Sequence, residues 1–377
     1  MALLRELIQP AQLERCGDRS FPVLSMTMHD GIMLQSDRFK KSLASVDQSA
    51  YKVVRRNQLV VGFPIDEGVL YIQQVVDAGI MSPAYDVWNV DETKVDLRYF
   101  ELCLHSPQSM MFYKTNLRGT TARRRSLPKD TLLSLPVPVP SMERQREIAS
   151  ALDRLQALIR LRQHQLCALD QLIKARFVEM FGDIRSNPLG YEKKKLGQTC
   201  KVVTGNTPSR SVSEYYGDYI EWIKTDNIVS GLLNPTKANE SLSKEGMKVG
   251  RTVDSGSVLM ACIAGSVASI GRVCVTDRTV SFNQQINAIV PESYNTLFLY
   301  VMLQLSKEYL VEDISMALKG ILSKSKLEEK EFILPPIEQQ EQFAAFVSQV
   351  DKSKVVVQKA LYEAQLLFNS LMQQYFG

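Results

Sequence analysis

The stretch LPPIEQQEQF, Leu334–Phe343, has a counterpart in VPSMERQREI, Val139–Ile148. A shift of 195 positions places Pro140 on Pro335, and the register then continues without a gap to a Phe-Gly pair at the end of each segment. Such a long match without insertions rarely arises by chance. The chain therefore contains an internal repeat, which is the first feature to establish in any sequence.

Both copies of the repeat have the features of one long helix. Each begins with Pro followed by Glu, which suits the first turn of a helix, and each ends at Gly, which favours its termination. Neither copy has an internal Pro or Gly. The pattern predicts long helices within residues 140–182 and 335–377, each about 60 Å long at about 1.5 Å per residue.

Apolar residues recur along both helices at a spacing of three and four, as in the contact seam of a coiled coil. The polar breaks are staggered, because Lys354 matches Ile159 and Arg162 matches Val357. Pairing of the two helices is favoured over packing of each helix on its own globular domain, since so many apolar positions exceed the needs of one domain face. The predicted seam consists of Leu152, Leu155, Ile159, Leu166, Leu169 and Ile173 in the first copy, and of Val347, Val350, Val357, Leu361 and Phe368 in the second.

Residues 1–139 and 183–334 are predicted to form two globular domains of mixed α/β character. Short β-branched runs separated by Gly and Ser indicate strands, as in YKVVRRNQLVVGF and SGSVLMACIAGSVASIGRVCV. DLRYFELCLHSP predicts a helix in the first domain, and NTLFLYVMLQLSKEYLVEDI predicts an amphipathic helix in the second. The predicted fold class is α+β, in the order domain, long helix, domain, long helix.

Composition narrows the class of protein. The 377 residues are 45% hydrophobic and 23% charged, with a net charge of +4, which permits a polyanionic partner without requiring one. No window has the uninterrupted apolar run of a membrane span or a signal peptide, so we expect a cytoplasmic protein without membrane contact. The six cysteines are scattered and the chain has three histidines, a pattern that favours buried thiols over a zinc site.

No catalytic motif is present in the sequence. A phosphate-binding loop, a dinucleotide-binding glycine pattern and a nucleophile elbow are all missing. An adenine amino-methyltransferase would carry an Asn/Asp-Pro-Pro-aromatic loop, whereas the nearest stretch, NPTK at Asn234, lacks the second proline and the aromatic residue. We therefore expect recognition rather than chemistry, with no catalytic residue.

Over its full length the chain resembles the specificity subunit of Type I restriction–modification enzymes. The most specific parts of the resemblance are PPIEQQEQF and VPSMERQREI. Supporting stretches in the two domains are GSVLMACIAGSVASIGRVCVTDRTVSFNQQINAI, YKVVRRNQLVVGF and GIMSPAYDVW. The missing catalytic motif agrees with the family, in which catalysis belongs to partner subunits.

The resemblance implies a mechanism. Each globular domain would be a target-recognition domain that reads one half of a split sequence in double-stranded DNA. The long helices would pair as an antiparallel coiled coil, related by a pseudo-twofold axis, and would set the unread spacer. Two methylation subunits would dock on this chain and methylate adenine N6, and a third kind of subunit would add translocation and cleavage. S-adenosylmethionine, Mg and ATP would be bound by those partners, and no cofactor or metal by this chain.

Candidate DNA contacts follow from the chemistry of phosphates and base edges, which call for Lys, Arg and small polar groups. Basic residues lie at matched places before each long helix. Gln284 and Gln285 are more readily explained as residues that hold a loop together. The predicted contacts are Arg123, Arg124 and Arg125, then Lys319, Lys324 and Lys326, with Lys40, Lys41, Asn206, Ser209 and Arg210.

Two other classes of function remain open on the sequence. A scaffold carrying two protein-binding domains on a coiled coil, without nucleic acid, would explain the repeat equally well. An enzyme in its own right is the weakest hypothesis. The basic segments at matched positions and the family-like motifs favour the DNA specificity subunit.

Overall fold

The computed structural model describes residues 1–12, 14–28, 30–38, 48–117, 127–263, 269–312 and 320–377. It divides into two compact units, and each unit contains part of both long helices. Unit 1 is Met1–Leu161 with Leu361–Gly377, and unit 2 is Arg162–Ala360. The predicted domain limits of 1–139 and 183–334 stay a prediction.

The described residues of the first half of the chain form ten short strands and five α-helices. The strands are β1 Ala2–Leu3, β2 Ile8–Pro10, β3 Leu24–Met26, β4 Ile32–Leu34, β5 Lys52–Arg55, β6 Leu59–Val61, β7 Leu70–Ile72, β8 Ala78–Met81, β9 Asp86–Val90 and β10 Pro136–Val137. The helices are α1 Gln35–Arg38, α2 Leu97–Leu104, α3 Pro107–Asn116, α4 Lys129–Leu132 and the 40-residue α5 Met142–Phe181.

Within the part of the second half that the structure describes, there are eleven strands and six α-helices. The strands are β11 Lys193–Lys195, β12 Cys200–Thr204, β13 Tyr216–Gly217, β14 Ile220–Ile223, β15 Ser241–Leu242, β16 Thr252–Val253, β17 Val258–Ala261, β18 Val273–Val275, β19 Val280–Phe282, β20 Ile286–Pro291 and β21 Glu331–Ile333. The helices are α6 Leu196–Thr199, α7 Lys244–Val249, α8 Thr296–Leu305, α9 Lys307–Val311, α10 Lys324–Glu329 and the 40-residue α11 Ile337–Phe376.

The two units share one sheet topology. Unit 1 has an antiparallel four-stranded sheet in the order β2-β9-β6-β7, and unit 2 has one in the order β12-β20-β17-β18. In each unit the first strand pairs antiparallel with the strand that precedes a long helix, β1 with β10 and β11 with β21. The repeat therefore extends beyond the long helices to the central sheet of each unit.

Alternation of side chains along these sheets builds two cores in each unit. In unit 2, Val258 and Met260 of β17 join the core that contains the long helices, whereas Leu259 and Ala261 join a second core. This follows from the two-residue period of a strand, because both faces of β17 are covered. In unit 1, β6 divides in the same way between two clusters.

The two units differ in what covers the second face of the sheet. Unit 2 adds a five-stranded sheet in the order β13-β15-β14-β19-β16, in which β14 and β19 are parallel. Unit 1 has two-stranded ribbons, β3 with β4 and β5 with β8. The common sheet thus carries different additions in the two units.

The long helices contact each other within each unit. In unit 1, Leu152 of α5 shares a core cluster with Met372 and Phe376 of α11. In unit 2, Phe177 and Phe343 meet edge to face with ring centroids 5.4 Å apart. In each unit the start of one helix therefore lies beside the end of the other.

Helix α8 corrects one prediction. Six consecutive residues from Phe298 to Leu303 are buried, so this helix is covered on all sides and the predicted amphipathic pattern is wrong. The helix ends at Leu305, and Ser306 separates it from α9. Burial between the sheet and the long helices explains why Phe298–Leu303 are all apolar, whereas Gln304, which follows them, is exposed. Across the described ranges, no helix combines the length and apolar character that a membrane span requires.

Candidate nucleic-acid interface

Five of the predicted DNA contacts lie within the described residues. Asn206, Ser209 and Arg210 occupy the segment after β12, and Lys324 and Lys326 lie on α10. The other predicted contacts lie outside the described residues, namely Arg123, Arg124, Arg125, Lys319, Lys40 and Lys41.

The segment after β12 is held close to the sheet by backbone contacts. Gly205 approaches β19 so closely that a Cβ atom there would lie 2.5 Å from the carbonyl oxygen of Phe282. Only glycine permits this approach. Asn206 uses both ends of its amide on backbone, because Nδ2 donates to the Val249 carbonyl at 2.9 Å and Oδ1 accepts from the Arg251 amide at 2.8 Å.

Further hydrogen bonds fix the rest of the segment. The Thr207 hydroxyl donates to Oε1 of Gln284, and the Tyr216 hydroxyl donates to the Pro208 carbonyl at 2.6 Å. The Ser209 hydroxyl lies 2.8 Å from the Ser211 hydroxyl. Gln284 thus holds this loop, as its position indicated, while Asn206 and Ser209 as DNA contacts stay predictions.

Arg210 is the cation that this segment displays. It belongs to a group that we call the Arg210 cluster, formed by Arg210, Tyr216, Trp222, Lys224 and Glu240. The guanidinium carbon of Arg210 lies 4.4 Å from the ring centroid of Tyr216 and 5.2 Å from that of Trp222. These distances are within the range of a cation–π contact. The ring of Trp222 is buried, and its Nε1 donates to the Asn206 carbonyl at 3.3 Å.

Glu240 joins the two cations of the cluster. Nη2 of Arg210 donates to Oε2 of Glu240 at 2.6 Å, and Nζ of Lys224 donates to Oε1. The hydrogen bond from Lys224, followed by that from Arg210, lowers the pKa of the Glu240 carboxyl below its usual value. The carboxylate therefore stays ionised near neutral pH, and the cluster carries one net positive charge. Sequence reasoning missed Lys224 and Glu240, which lie 14 and 30 residues from Arg210.

Helix α10 presents the other described cations at the predicted place before α11. It begins after Ser323, whose hydroxyl accepts a hydrogen bond from the Lys326 amide at 3.3 Å. Nζ of Lys324 lies 3.5 Å from Oε1 of Glu328, an exposed pair that contributes little to stability. Both lysine side chains are exposed to solvent, but their role as DNA contacts stays a prediction.

A pair of buried glutamines explains the repeated Pro-x-x-Glu-x-Gln motif. Oε1 of Gln340 accepts from the Asn295 amide at 2.9 Å, and its Nε2 donates to the Pro335 carbonyl at 2.8 Å. Gln145 repeats this arrangement, with Oε1 accepting from the Asp96 amide at 2.8 Å and Nε2 donating to the Pro140 carbonyl at 3.0 Å.

These bonds connect each long helix to its sheet domain. Asp96 and Asn295 are the residues that cap the N-termini of α2 and α8. Each glutamine therefore ties the first turn of a long helix to the start of a domain helix. Gln145 and Gln340 are 0% and 1% exposed, whereas Glu143 and Glu338 of the motif are exposed. We call Gln145 and Gln340 the glutamine latches.

The predicted seam positions all lie on the covered side of the helices. Leu152, Val347 and Val350 are buried. The others are half-buried, namely Leu155, Ile159, Leu166, Leu169, Ile173, Val357, Leu361 and Phe368. The polar position Lys354 is also buried, and its Nζ donates to Oδ1 of Asp170 at 2.8 Å. A charge on the apolar side of α11 is thus paired with a carboxylate of α5.

The sequence of this chain was compared with those of known proteins, and it is similar to Type I restriction specificity subunits. A sequence model of the "Type I restriction modification DNA specificity domain" matches residues 188–364. The HindI specificity subunit of Haemophilus influenzae is 31% identical over 119 residues, which is 31% of this chain and 25% of that protein. The chain thus resembles the specificity subunits of Type I restriction enzymes, and residues 188–364 match their DNA specificity domain.

A second curated specificity subunit is also similar to this chain. The MjaIX specificity subunit of Methanocaldococcus jannaschii is 26% identical over 175 residues, or 45% of this chain and 40% of that protein. The chain's matches thus span less than half the length of each of these two curated relatives.

Solved structures share the fold. The S subunit of a Type-I restriction-modification system from M. genitalium has a TM-score of 0.59 at 12% identity, covering all of this chain and 95% of that one. A chain from a structure describing assembly and conformational transition of the type I R-M system has a TM-score of 0.57 at 17% identity, covering all of this chain and 96% of that one. At these identities the likeness establishes the fold alone.

Proposed function

We propose that this chain is the non-catalytic DNA specificity subunit of a Type I restriction–modification system, in which each unit reads one half of a bipartite target in double-stranded DNA. The observation that carries the proposal is the repetition of one fold within a chain that resembles the specificity subunits. Both units have the same four-strand order and the same glutamine latch. A duplicated reader with different additions to its sheet suits two different half-sites.

In this proposal the long helices form an antiparallel coiled coil that sets the spacer between the half-sites. The guanidinium of Arg144 lies over the ring of Tyr375 in unit 1, and Phe177 contacts Phe343 in unit 2. Both contacts support antiparallel pairing. At about 1.5 Å per residue, 40 residues give about 60 Å of helix, which is long enough to measure DNA.

The proposed partners are two methylation subunits, which would methylate adenine N6 with S-adenosylmethionine. A third kind of subunit would use ATP and Mg for translocation and cleavage. Apolar side chains exposed on the long helices support docking of other proteins there, because a soluble helix normally covers such residues. They are Leu158, Leu161, Leu172, Val178, Val355, Val356, Tyr362, Leu366 and Leu367.

The decisive experiment is to express the chain together with its proposed methylation subunit and to sequence the methylated bases of the host. We expect one bipartite motif with a fixed spacer. A host without any new methylated motif, together with a purified assembly that does not bind DNA, would support the scaffold hypothesis instead.

The spacer function has its own test. Insertion of one heptad into each helix, within 152–176 and at the matched place within 347–371, lengthens both helices by about 10 Å. We expect the methylated motif to gain about three base pairs of spacer, since base pairs rise about 3.4 Å. In a matched control, the sequence of the inserted heptad replaces one native heptad in each helix, so that the helix length does not change. An unchanged spacer in the insertion variant would refute the measuring role.

The predicted DNA contacts of the basic residues can be tested by measuring DNA affinity at several salt concentrations. Changing both Arg124 and Arg125 to Ala should weaken DNA binding by the assembled enzyme and reduce the dependence of affinity on salt, because each phosphate contact releases counterions. An unchanged salt slope would remove these two residues from the DNA surface.

A further inference from the structure

Among the predicted contacts that the structure describes, Arg210 has a guanidinium that is held from two directions. Glu240 binds one edge through Nη2 at 2.6 Å, and the rings of Tyr216 and Trp222 lie against the group at 4.4 and 5.2 Å. The side chain is nevertheless 56% exposed. Within the described residues, its Nε and Nη1 make no hydrogen bond that would compete with a ligand.

The segment that carries Arg210 is fixed as well. Asn206 binds two backbone groups, and Thr207 and Tyr216 add one bond each. A free arginine side chain loses considerable rotamer freedom when it is ordered. An arginine that is already stacked and anchored loses less on binding, so its geometry selects its partner.

The acidic neighbour decides which part of DNA suits this arginine. A phosphate is attracted to any cation, and a lysine serves as well as an arginine where only charge is needed. The Glu240 carboxylate would repel a phosphate placed beside Arg210. The O6 and N7 atoms of guanine are neutral acceptors, and the planar fork of an arginine matches them with two hydrogen bonds. The Arg–Glu arrangement thus favours a base edge over the backbone.

We propose that Arg210 reads a guanine in the half-site bound by unit 2, and that Glu240 is its positioning residue. This inference rests on the proposed function. Tyr216 and Trp222 keep the guanidinium plane in place, and Glu240, which Lys224 also binds, holds the Nη2 end of the guanidinium. Only the guanidinium itself contacts the base.

The test uses the assembled methyltransferase with this chain intact. Three variants, Arg210→Lys, Arg210→Ala and Glu240→Gln, are compared with Lys248→Ala, which removes an exposed cation from the same unit. The methylated motif of each is determined by sequencing, and affinity is measured for duplexes in which each base pair of the target is changed in turn. A thermal melt of each variant establishes that it is folded.

We expect the wild-type target to contain a guanine whose replacement weakens binding roughly 5- to 150-fold, the discrimination of one bidentate pair. Arg210→Lys and Arg210→Ala should abolish that preference at this position while the other half-site stays unchanged. Glu240→Gln should reduce the preference at the same position, which a merely structural role would not do. Lys248→Ala should leave the motif unchanged.

Other outcomes overturn the inference in distinct ways. An equal loss of affinity for all target sequences in the Arg210 variants would make the residue a phosphate contact. An unchanged motif and affinity in those variants would place Arg210 away from DNA. A target without guanine in the affected half-site would also refute the proposal that Arg210 reads guanine. Absence of any bipartite motif for the wild-type assembly would instead refute the proposed function itself.

Discussion

The glutamine latches make a sharp prediction about stability. Gln340→Met keeps the length of the side chain but removes both of its polar atoms. The Asn295 amide and the Pro335 carbonyl, which the Gln340 side chain binds at 2.9 and 2.8 Å, then lose these partners in a region that excludes water. The substitution therefore tests whether the latch is a major link between α11 and the domain of unit 2.

The expected magnitude follows from the cost of buried groups without partners. Each such group costs about 1–3 kcal/mol, and the burial of the more apolar methionine offsets part of that. We expect a net loss of about 2–4 kcal/mol in the free energy of unfolding of unit 2. For a unit of about 200 residues this corresponds to a fall in the melting temperature of roughly 4–16 °C.

The two tryptophans allow each unit to be followed separately. Trp88 lies in unit 1 and Trp222 in unit 2. In a Trp88→Phe background, fluorescence during urea unfolding reports on unit 2, and Gln340→Met should lower the midpoint of that transition. Gln145→Met, measured through Trp88 in a Trp222→Phe background, should do the same for unit 1.

A matched control lies nine residues further along the same helix. Gln349 is exposed, so Gln349→Met should change the free energy of unfolding by less than about 0.5 kcal/mol. A Gln340→Met variant as stable as this control would show that the buried amide does not hold the helix to the domain, and the explanation of the repeated motif would fail.

Three further outcomes are expected. Lys354→Met should leave the stability of unit 2 unchanged or higher. Asp170→Ala leaves the buried ammonium of Lys354 without this partner and should lower the free energy of unfolding by about 3 kcal/mol. Equal effects of the two substitutions in urea unfolding would contradict this prediction. Hydrogen bonds from Arg278 lower the pKa of Glu221, so this carboxylate stabilises the fold above pH 4.5 and loses its effect as the pH falls through the lower, folded-state pKa. Glu221→Gln should therefore be less stable than the wild type at pH 7, with a difference that shrinks in acid, and a constant difference would refute the assignment. At pH 8 a thiol reagent should modify the exposed Cys167. It should spare four buried thiols, because burial raises their pKa to about 12; they are Cys103, Cys200, Cys262 and Cys274. Modification of those four in the folded protein would contradict their burial.

The long helices could be predicted because their signals are local. The limits Met142–Phe181 and Ile337–Phe376 differ by only one or two residues from the predicted segments. A proline start, a glycine end and a three-to-four apolar spacing all act within a few residues along the chain. The helix over Leu97–Leu104 and the strands around Val54 and Val60 were accessible for the same reason.

The amphipathic prediction for the helix after Asn295 failed because sequence does not reveal how many faces of a helix are covered. Its apolar residues face both the sheet and the long helices, so a one-sided pattern was never required. A run of six apolar residues could have signalled full burial, but not which elements provide it.

Sequence by itself determined the duplication and the two long helices, because a repeat preserves register wherever the fold is preserved. Only the tertiary structure determined which groups the individual polar side chains bind. The amide of Asn206 binds the backbone of Val249 and Arg251, and Glu240, 30 residues from Arg210, orients the Arg210 guanidinium. The physical reason is that a polar side chain is defined by its hydrogen-bond partners, and in this fold those partners come from distant segments.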